Sequence, residues 1–282
     1  VRQARESDKR PCLTINKLPS LIRQVINDAR QNKQGIMVSP VDSGADRDTA
    51  EVITGLVRSI ERNSNSNVSY DVAIDNSASC GFGFIQLSID YANNFSFEKE
   101  IMINPVYNAL SVHWDVADMG MDATGWRYCF LSELLILSKF EAEYPDADKV
   151  SFEGDLNQRE MLWSAADGVR IADYWLKETK DSTLYMIVDR SGYDIEPTAI
   201  NKEDYDKDEM MQSAVASGIF EITQERKITI PNIVRRKITG KQILNEYEWP
   251  GQSIPVAPVW GEVVISEGKR YLRSMIRDAK DP

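Results

Sequence analysis

The spacing of the apolar residues changes along the chain, and this change limits the folds that the chain can adopt. From Leu18 to Ala29 the apolar residues recur every three or four positions, which is the spacing of one face of a helix. After about residue 168 the chain consists mainly of short runs rich in β-branched and aromatic residues, which favour strands. The pattern predicts an α+β fold, with N-terminal helices packed on a mixed or antiparallel sheet and a strand-rich C-terminal half.

Three helices are predicted near the N-terminus. Asn16 can cap the first helix, and Pro19 lies in its first turn, where a missing N–H group has no cost. The third helix is expected to end at Gly81, which can adopt a left-handed conformation. The second and third helices are predicted over Asp46–Asn63 and Val68–Cys80. The apolar face of the second helix consists of Ile53, Leu56, Val57 and Ile60.

The remaining elements are read from shorter patterns. The run SELLILSKFEAEY is predicted to pass from strand into helix and to stop at Pro145, and EDYDKDEMMQSAVASG is predicted to be helical. The last segment, KRYLRSMIRDAKDP, is predicted to begin an amphipathic helix. Strands are predicted at GIMVSP, GFIQLSIDY, EIMINPVY, SVHWD, IADYWLKE, TLYMIVD, RKITIPNIV and RRKITGKQIL. The predicted division is therefore a helical α+β part at 1–145, a strand-rich part at 146–266, and the start of a terminal helix at 267–282.

Composition excludes several classes of function. The 33 Lys and Arg residues against 44 Asp and Glu give a net charge of −11, so a nucleic-acid binder would need a local basic patch. His113 is the single histidine, which argues against a metal site built from several histidines. The three cysteines are far apart and form no C-x-x-C pair, which predicts buried thiols in a reducing compartment and no disulfide framework.

The sequence has no apolar run of the ~20 residues that a membrane-spanning helix needs, and its N-terminus carries no signal-peptide pattern. It does not begin with methionine, and it stops directly after a helical pattern. We therefore expect a fragment of a longer protein.

Charge is distributed unevenly along the chain. Residues 141–209 are strongly acidic, whereas residues 225–241 and 267–280 are basic. Such runs are usually solvated surface, but opposite charges can also orient neighbouring copies in a head-to-tail assembly. The basic residues that we assign as possible contacts to DNA or to another subunit are Arg235, Arg236, Lys237, Lys269, Arg270, Arg273 and Arg277.

Most motifs for chemistry are incomplete. Gly81–Phe84 follows a predicted helix and precedes a strand, which is the reverse of a dinucleotide-binding loop. The two Gly-Lys pairs lack the first glycine of a phosphate-binding loop. The acidic run at 204–209 lacks the glycine and glutamate that complete a calcium loop. We expect no cofactor and no bound metal.

Two further arrangements remain open as alternatives. Ser111 and His113 are expected to share one face of a strand, where the histidine is predicted to be structural. Glu178-x-Lys180 with Asp173 upstream matches the carboxylate pattern of a metal-dependent nuclease or hydrolase. Taken residue by residue, the chain favours a structural or interaction protein over an enzyme.

Four stretches, taken together, resemble the portal (head-to-tail connector) proteins of short-tailed double-stranded-DNA bacteriophages and prophages. The resemblance covers nearly the whole chain and depends on the order and spacing of the stretches. The fourth stretch resembles the passage from the wing of such a protein into its first stem helix. The stretches are RPCLTINKLPSLIRQVINDARQNK; ADRDTAEVITGLVRSIERNSN with YDVAIDNSASCGFGFIQL; FEAEYPDADK with IADYWLKE; and GQSIPVAPVWGEVV with EGKRYLRSMIRDAKDP.

The resemblance implies a wing-region fragment of a ring-shaped homo-oligomer, dodecameric in the mature family, at one vertex of the capsid. DNA would pass through the ring without sequence-specific binding during packaging and ejection. The implied partners are further copies of the chain, the terminase, scaffolding and capsid proteins, and tail adaptor proteins. The implied location is the virion, after assembly in the host cytoplasm. The family has no enzyme activity of its own, and an adaptor protein that forms no ring is the second alternative.

Overall fold

The computed structural model describes residues 5, 7, 16–32, 35–41, 46–93, 95–148, 164–165, 168–190 and 197–279. The chain divides into two compact units, the first formed by Val1–Gly125 with Pro255–Pro282 and the second by Trp126–Ile254. These boundaries differ from the predicted divisions at 145/146 and 266/267. The assignment of those divisions to parts of a wing and a stem stays a prediction.

The α-helices include, in chain order, α1 (Leu18–Gln31), α2 (Arg47–Asn63), α3 (Ser66–Cys80), α4 (Leu137–Glu143), α5 (Lys202–Lys207), α6 (Glu209–Ala216) and α7 (Met275–Asp278). The strands are β1 (Phe82–Tyr91), β2 (Lys99–Pro105), β3 (Val112–Trp114), β4 (Tyr128–Ile136), β5 (Ser164–Ala165), β6 (Gly168–Asp189), β7 (Thr198–Asn201), β8 (Phe220–Ile238), β9 (Ile243–Trp249), β10 (Val256–Trp260), β11 (Glu262–Ser266) and β12 (Lys269–Arg273). This content confirms the predicted α+β fold, with helices at the N-terminus and antiparallel strands dominating the C-terminal half.

The predicted N-terminal helices are present. The side-chain oxygen of Asn16 accepts a hydrogen bond of 3.1 Å from the N–H of Leu18 at the start of α1. Asp46 caps α2 by accepting from the N–H groups of Asp48 and Thr49. The side-chain hydrogen bond from Thr49, followed by the two backbone hydrogen bonds, lowers the pKa of Asp46. Both helices thus begin beside a side-chain acceptor, Asn16 one residue before the N-cap position Lys17 of α1 and Asp46 at the N-cap of α2.

The apolar face of α2 is not its buried face. Its buried residues are Ala50 and Thr54, whereas Ile53 and Leu56 are exposed. The hydroxyl of Thr54 is satisfied on this buried side, where it donates to the carbonyl of Ala50 at 2.9 Å. Val57 and Ile60, the other two residues of the predicted face, are half-buried.

The strand predicted at 35–40 is also wrong, because this segment joins no sheet within the described residues. The N–H of Val38 instead donates a 3.1 Å hydrogen bond to the hydroxyl of Thr54 on α2. A side chain thus takes the main-chain donor that a neighbouring strand would need.

Helix α3 packs unusually closely on strand β1. Gly81 ends the helix with φ +90°, and its N–H donates to the carbonyl of Ser77 at 2.9 Å. A Cβ atom at Gly83 would overlap the main-chain carbonyl of Ala73. The neighbouring side chain of Phe84 points to the other face of the sheet and is fully buried against the rings of Trp114 and Trp260.

The sheet of the first unit has the order β10–β1–β2, and both pairings are antiparallel. A separate hairpin is formed by β11 and β12. The helix predicted over KRYLRSMIRDAKDP is therefore wrong at Lys269–Arg273, which is a strand, and α7 begins only at Met275. Glu267 and Gly268 both have positive φ, the geometry of a two-residue hairpin turn, and this turn pairs the apolar residues of the segment with β11.

Strands β6 and β8 form the centre of the second unit. They pair antiparallel from Ala172↔Ile238 to Asp189↔Phe220, so the strands predicted at IADYWLKE and TLYMIVD are two parts of β6. Strands β4, β5 and β7 pair with β6, and β9 pairs with β8. The predicted strand-to-helix passage before Pro145 is confirmed by β4 and α4. The helix predicted at EDYDKDEMMQSAVASG is interrupted at Asp208 and forms α5 and α6.

The second unit has a buried core on these strands. Leu135, Phe140, Val169 and Ile171 form one cluster, against which Tyr144 packs. Among the described residues, no helix has both the length and the apolar character that crossing a membrane would require.

The close contact at Gly83 makes a prediction about stability. We expect Gly83→Ala to lower the free energy of unfolding by about 1–3 kcal/mol, because the added methyl group must displace the backbone of α3. The matched control is Gly55→Ala within α2, where nothing lies within 4 Å of the added atom. That variant should be more stable by up to about 1 kcal/mol. Urea denaturation followed by circular dichroism measures both, and equal stability of Gly83→Ala and the wild type would contradict the packing described here.

Candidate functional site

The basic residues Arg235, Arg236 and Lys237 lie on β8 of the second unit, opposite an acidic part of β6. The Nη2 atom of Arg235 is 2.7 Å from a carboxylate oxygen of Asp173, and the Nζ atom of Lys237 is 4.0 Å from the other oxygen. Arg236 lies on the opposite face of the strand, with its Nε atom 2.6 Å from Glu246. The acidic and basic runs of the sequence thus meet within one chain at these residues.

Arg235 is held by aromatic rings as well as by charge. Its guanidinium carbon lies 5.7 Å from the ring centre of Trp175 and 5.3 Å from that of Tyr247. The side chain is 22% exposed, and that of Asp173 is 16% exposed. Burial by itself lowers the pKa of Arg235, but the hydrogen bond and charge of Asp173, with a smaller contribution from Tyr247, outweigh it and raise the pKa. Arg235 is therefore a fixed cation that binds its own sheet.

The carboxylates proposed for a metal-dependent nuclease do not converge. Asp173 and Glu178 are five residues apart on β6, so their side chains lie on opposite faces of the strand. Lys180, the third member of the pattern, forms a 2.7 Å ion pair with Glu203. Within the described residues, no three His, Cys, Asp or Glu side chains lie close enough together to hold a metal ion.

Ser111 and His113 do not share one face of a strand, so that prediction is wrong. Ser111 ends a 3₁₀ turn at Ala109–Ser111, and its hydroxyl donates a 2.7 Å hydrogen bond to the carbonyl of Asn108. His113 is exposed on β3. The sequence indicated a continuous strand, whereas Asn108 starts a turn by accepting from the N–H of Leu110.

The cysteines are only partly as predicted. Cys129 is buried, and burial raises the pKa of its thiol, which suits a structural role. Cys80 is exposed at the end of α3, contrary to the prediction. Cys12 lies outside the described residues.

The acidic run at 204–209, which lacks the residues of a calcium loop, contributes a helix cap. The side chain of Asp208 caps α6 by accepting a 2.9 Å hydrogen bond from the N–H of Met211.

The second group of candidate cations lies on β12 and α7 of the first unit. Arg270 donates a 2.6 Å hydrogen bond to the carbonyl of Gly120 and lies 5.1 Å from the ring centre of Trp260, so it holds a loop in place. Arg273 forms ion pairs with Asp278 at 2.8 Å and with Glu262 at 3.6 Å.

The outer face of β12 carries the more accessible charges. Lys269 and Arg273 lie on one face of β12, and Arg270 lies on the other. Lys269 and Arg273 are exposed, and so is Arg277 on α7. Arg277 also donates to the carbonyl of Leu272 at 3.1 Å. The seven candidate cations thus separate into an internally paired group on β8 and a more exposed group on β12 and α7.

Sequence reasoning missed a projecting apolar surface on the β1–β2 hairpin. Phe95 and Phe97 at its tip are 98% and 97% exposed. The run NFSFEKE contains the signal, since two phenylalanines in a short polar loop between strands have no partner in the local pattern.

The chain is similar along its length to known proteins. Residues 1–282 match the family model described as phage P22-like portal protein. A curated relative named Portal protein, from Acyrthosiphon pisum secondary endosymbiont phage 1, is 24% identical to the chain over 264 residues. The match covers 90% of the chain and 35% of the relative, so the chain spans 35% of the length of the curated relative it matches.

The pair of Asp173 and Arg235 makes a prediction about stability. We expect Asp173→Asn to lower the free energy of unfolding by about 1–3 kcal/mol, because a largely buried guanidinium loses its charged partner. The control is Glu221→Gln, which removes an ion pair of the same length to Arg190 between side chains that are both more than half exposed. That change should cost less than about 1 kcal/mol. Urea denaturation of both variants is the measurement, and equal losses would show that burial adds nothing to the Asp173 pair.

Proposed function

The chain belongs to the phage P22-like portal protein family, and from this premise we propose that it forms part of a ring-shaped channel at one vertex of a phage or prophage capsid. The observation that carries the proposal is the match of the family model to residues 1–282. The ring consists of copies of this chain arranged about one axis. Double-stranded DNA enters through it during packaging and leaves through it during ejection.

The proposed partners follow from this position. The terminase docks on the ring during packaging, scaffolding and capsid proteins surround it during assembly, and tail adaptor proteins bind it afterwards. The protein is located in the virion after assembly in the host cytoplasm. Portal proteins are structural, and we propose that this chain likewise catalyses no reaction.

The distribution of charge favours a channel through which DNA passes over a surface that binds DNA tightly. The net charge of −11 opposes a general attraction to phosphate. On β8, Arg235 and Arg236 are each within 2.7 Å of a carboxylate oxygen. On β12 and α7, the exposed cations are few, and Arg273 shares its charge with two acids. A weak attraction to phosphate is what a channel through which DNA slides requires.

The first test is the assembly state of the protein expressed from its complete gene. Negative-stain electron microscopy should show end-on rings with a central hole, and native mass spectrometry should give one large homo-oligomer. A monomer or an open chain of subunits in all conditions would instead favour an adaptor that forms no ring.

The second test concerns DNA. We expect weak, sequence-independent binding of duplex DNA that falls steeply with salt, because only phosphate contacts are available. Lys269→Ala and Arg277→Ala should each lower the salt slope by about 1, whereas Lys241→Ala, which removes a cation 3.3 Å from Asp148, should leave it unchanged. A salt titration by fluorescence anisotropy measures the slope. Tight binding with a sequence preference would contradict a sliding channel.

A further inference from the structure

The outer half of the β1–β2 hairpin forms an apolar arm. Ile89 pairs with Ile101 and Tyr91 with Lys99, and since alternate residues share a face, Ile89, Ile101 and Tyr91 lie on the same side. All three are exposed. Lys99 lies on this side as well, with its Nζ atom 5.8 Å from the ring centre of Tyr91, and Phe95 and Phe97 lie at the tip of the hairpin, almost fully exposed. We define the arm as residues 89–93 and 95–101.

The tip of the arm is fixed by its own hydrogen bonds. The N–H of Phe95 donates to the side chain of Asn93 at 2.9 Å, and the N–H of Glu98 donates to the hydroxyl of Ser96 at 3.0 Å. The N–H of Ala92 donates to the carbonyl of Glu98 at 2.9 Å. A loop held in this way presents its aromatic side chains with little further loss of entropy on binding.

The other face of the arm is polar. Asp90 pairs with Glu100 on that face, and Ser88 lies on the same side. Within the described residues neither carboxylate has an ion-pair partner, although Glu100 accepts a 3.3 Å hydrogen bond from Asn63. Because like charges that face each other across strands repel, they favour contact with water. The face of Asp90 and Glu100 is therefore less suited to an apolar contact than the face of Ile89 and Ile101.

A second unmatched apolar surface lies on α2 of the same unit. Val52 is 71% exposed and Leu56 is 59% exposed, and Ile53 is exposed beside them. These residues form a stripe on the flank of the helix, away from the buried Ala50 and Thr54. We define Val52, Ile53 and Leu56 as the α2 stripe.

The two surfaces have different shapes, one a projecting arm and the other a helix flank. In a head-to-tail arrangement of identical subunits, one surface of each copy meets a different surface of the next, so two different apolar surfaces can cover each other around a closed ring. The two phenylalanines alone offer about 300–500 Å². That is roughly half of the ~800 Å² that each partner contributes to a stable interface.

We propose that the arm of one subunit packs its apolar face on the α2 stripe of the neighbouring subunit, with Phe95 and Phe97 as the anchoring side chains. The occupant of the stripe is thus a second copy of this chain. The inference rests on the proposed ring and adds the surface through which its subunits meet.

The first experiment removes the anchors in the protein expressed from its complete gene. Phe95→Ala with Phe97→Ala should raise the protein concentration needed for half-assembly at least tenfold, measured by mass photometry. Circular dichroism and the melting temperature of the unassembled subunit should stay unchanged, because both side chains are almost fully exposed. The matched control is Ile265→Ala, an apolar residue on β11 that is 60% exposed, and it should assemble like the wild type.

The second experiment identifies what the arm touches. A benzophenone amino acid at position 97, irradiated in the assembled protein, should form crosslinks to residues 47–63. Rings prepared from a mixture of ¹⁴N- and ¹⁵N-labelled subunits show by mass spectrometry whether the crosslinked peptides come from different copies. Crosslinks only within one subunit, only to other surfaces, or only to another protein would overturn the proposal.

The outcomes separate this inference from the proposed function. A wild-type protein that forms no ring contradicts both. A ring that forms equally well in the wild type and in the double variant leaves the proposed function in place and overturns the arm contact.

Discussion

The first unit depends on how closely helix α3 can approach strand β1. Contact between the carbonyl of Ala73 and Gly83 leaves no space for a side chain, so the helix axis lies directly over the strand. A second contact of this kind joins Gly261 to Gly81, whose main-chain groups form a 2.8 Å hydrogen bond. Both sides of β1 are then used, with α3 on one side and Phe84 packed among tryptophans on the other. The outer half of β1 extends beyond this packed region and becomes the arm.

The second unit depends on the pairing of β6 with β8. The register places Asp173 opposite Lys237 and Trp175 opposite Arg235, which brings acids, cations and rings together on one sheet. The ion pair and the aromatic contacts of Arg235 support each other, because the rings exclude water from a charge that the carboxylate neutralises. The residues that form a basic run in the sequence therefore stabilise the sheet itself.

These two arrangements bear on the proposed role in different ways. A channel for DNA needs subunits that associate firmly and a wall that does not hold phosphate. Pairing the cations of β8 within the sheet lowers the attraction to DNA, and the contact proposed for the apolar arm would add association that salt does not screen. The exposed cations on β12 and α7 are the residues that we propose for weak and reversible contacts with DNA.

The sequence by itself determined the elements whose signals are local. The left-handed end at Gly81 and the stop at Pro145 depend on residues within a few positions, so the helix ends that they mark were predicted correctly. The fold class followed from the same periodicity.

Other outcomes depended on the tertiary structure, because they were decided by competition between distant groups. The segment 35–40 joined no described strand since Thr54 takes the N–H of Val38, and Lys269–Arg273 became a strand because a turn at Gly268 offered β11 as a partner. On α2 the buried residues are Ala50 and Thr54, whereas Leu56 of the apolar face is exposed, a choice that the periodicity of the helix does not make. Charge pairing across β6 and β8 depends on register between residues about 60 positions apart, which is set by main-chain pairing that no local pattern encodes.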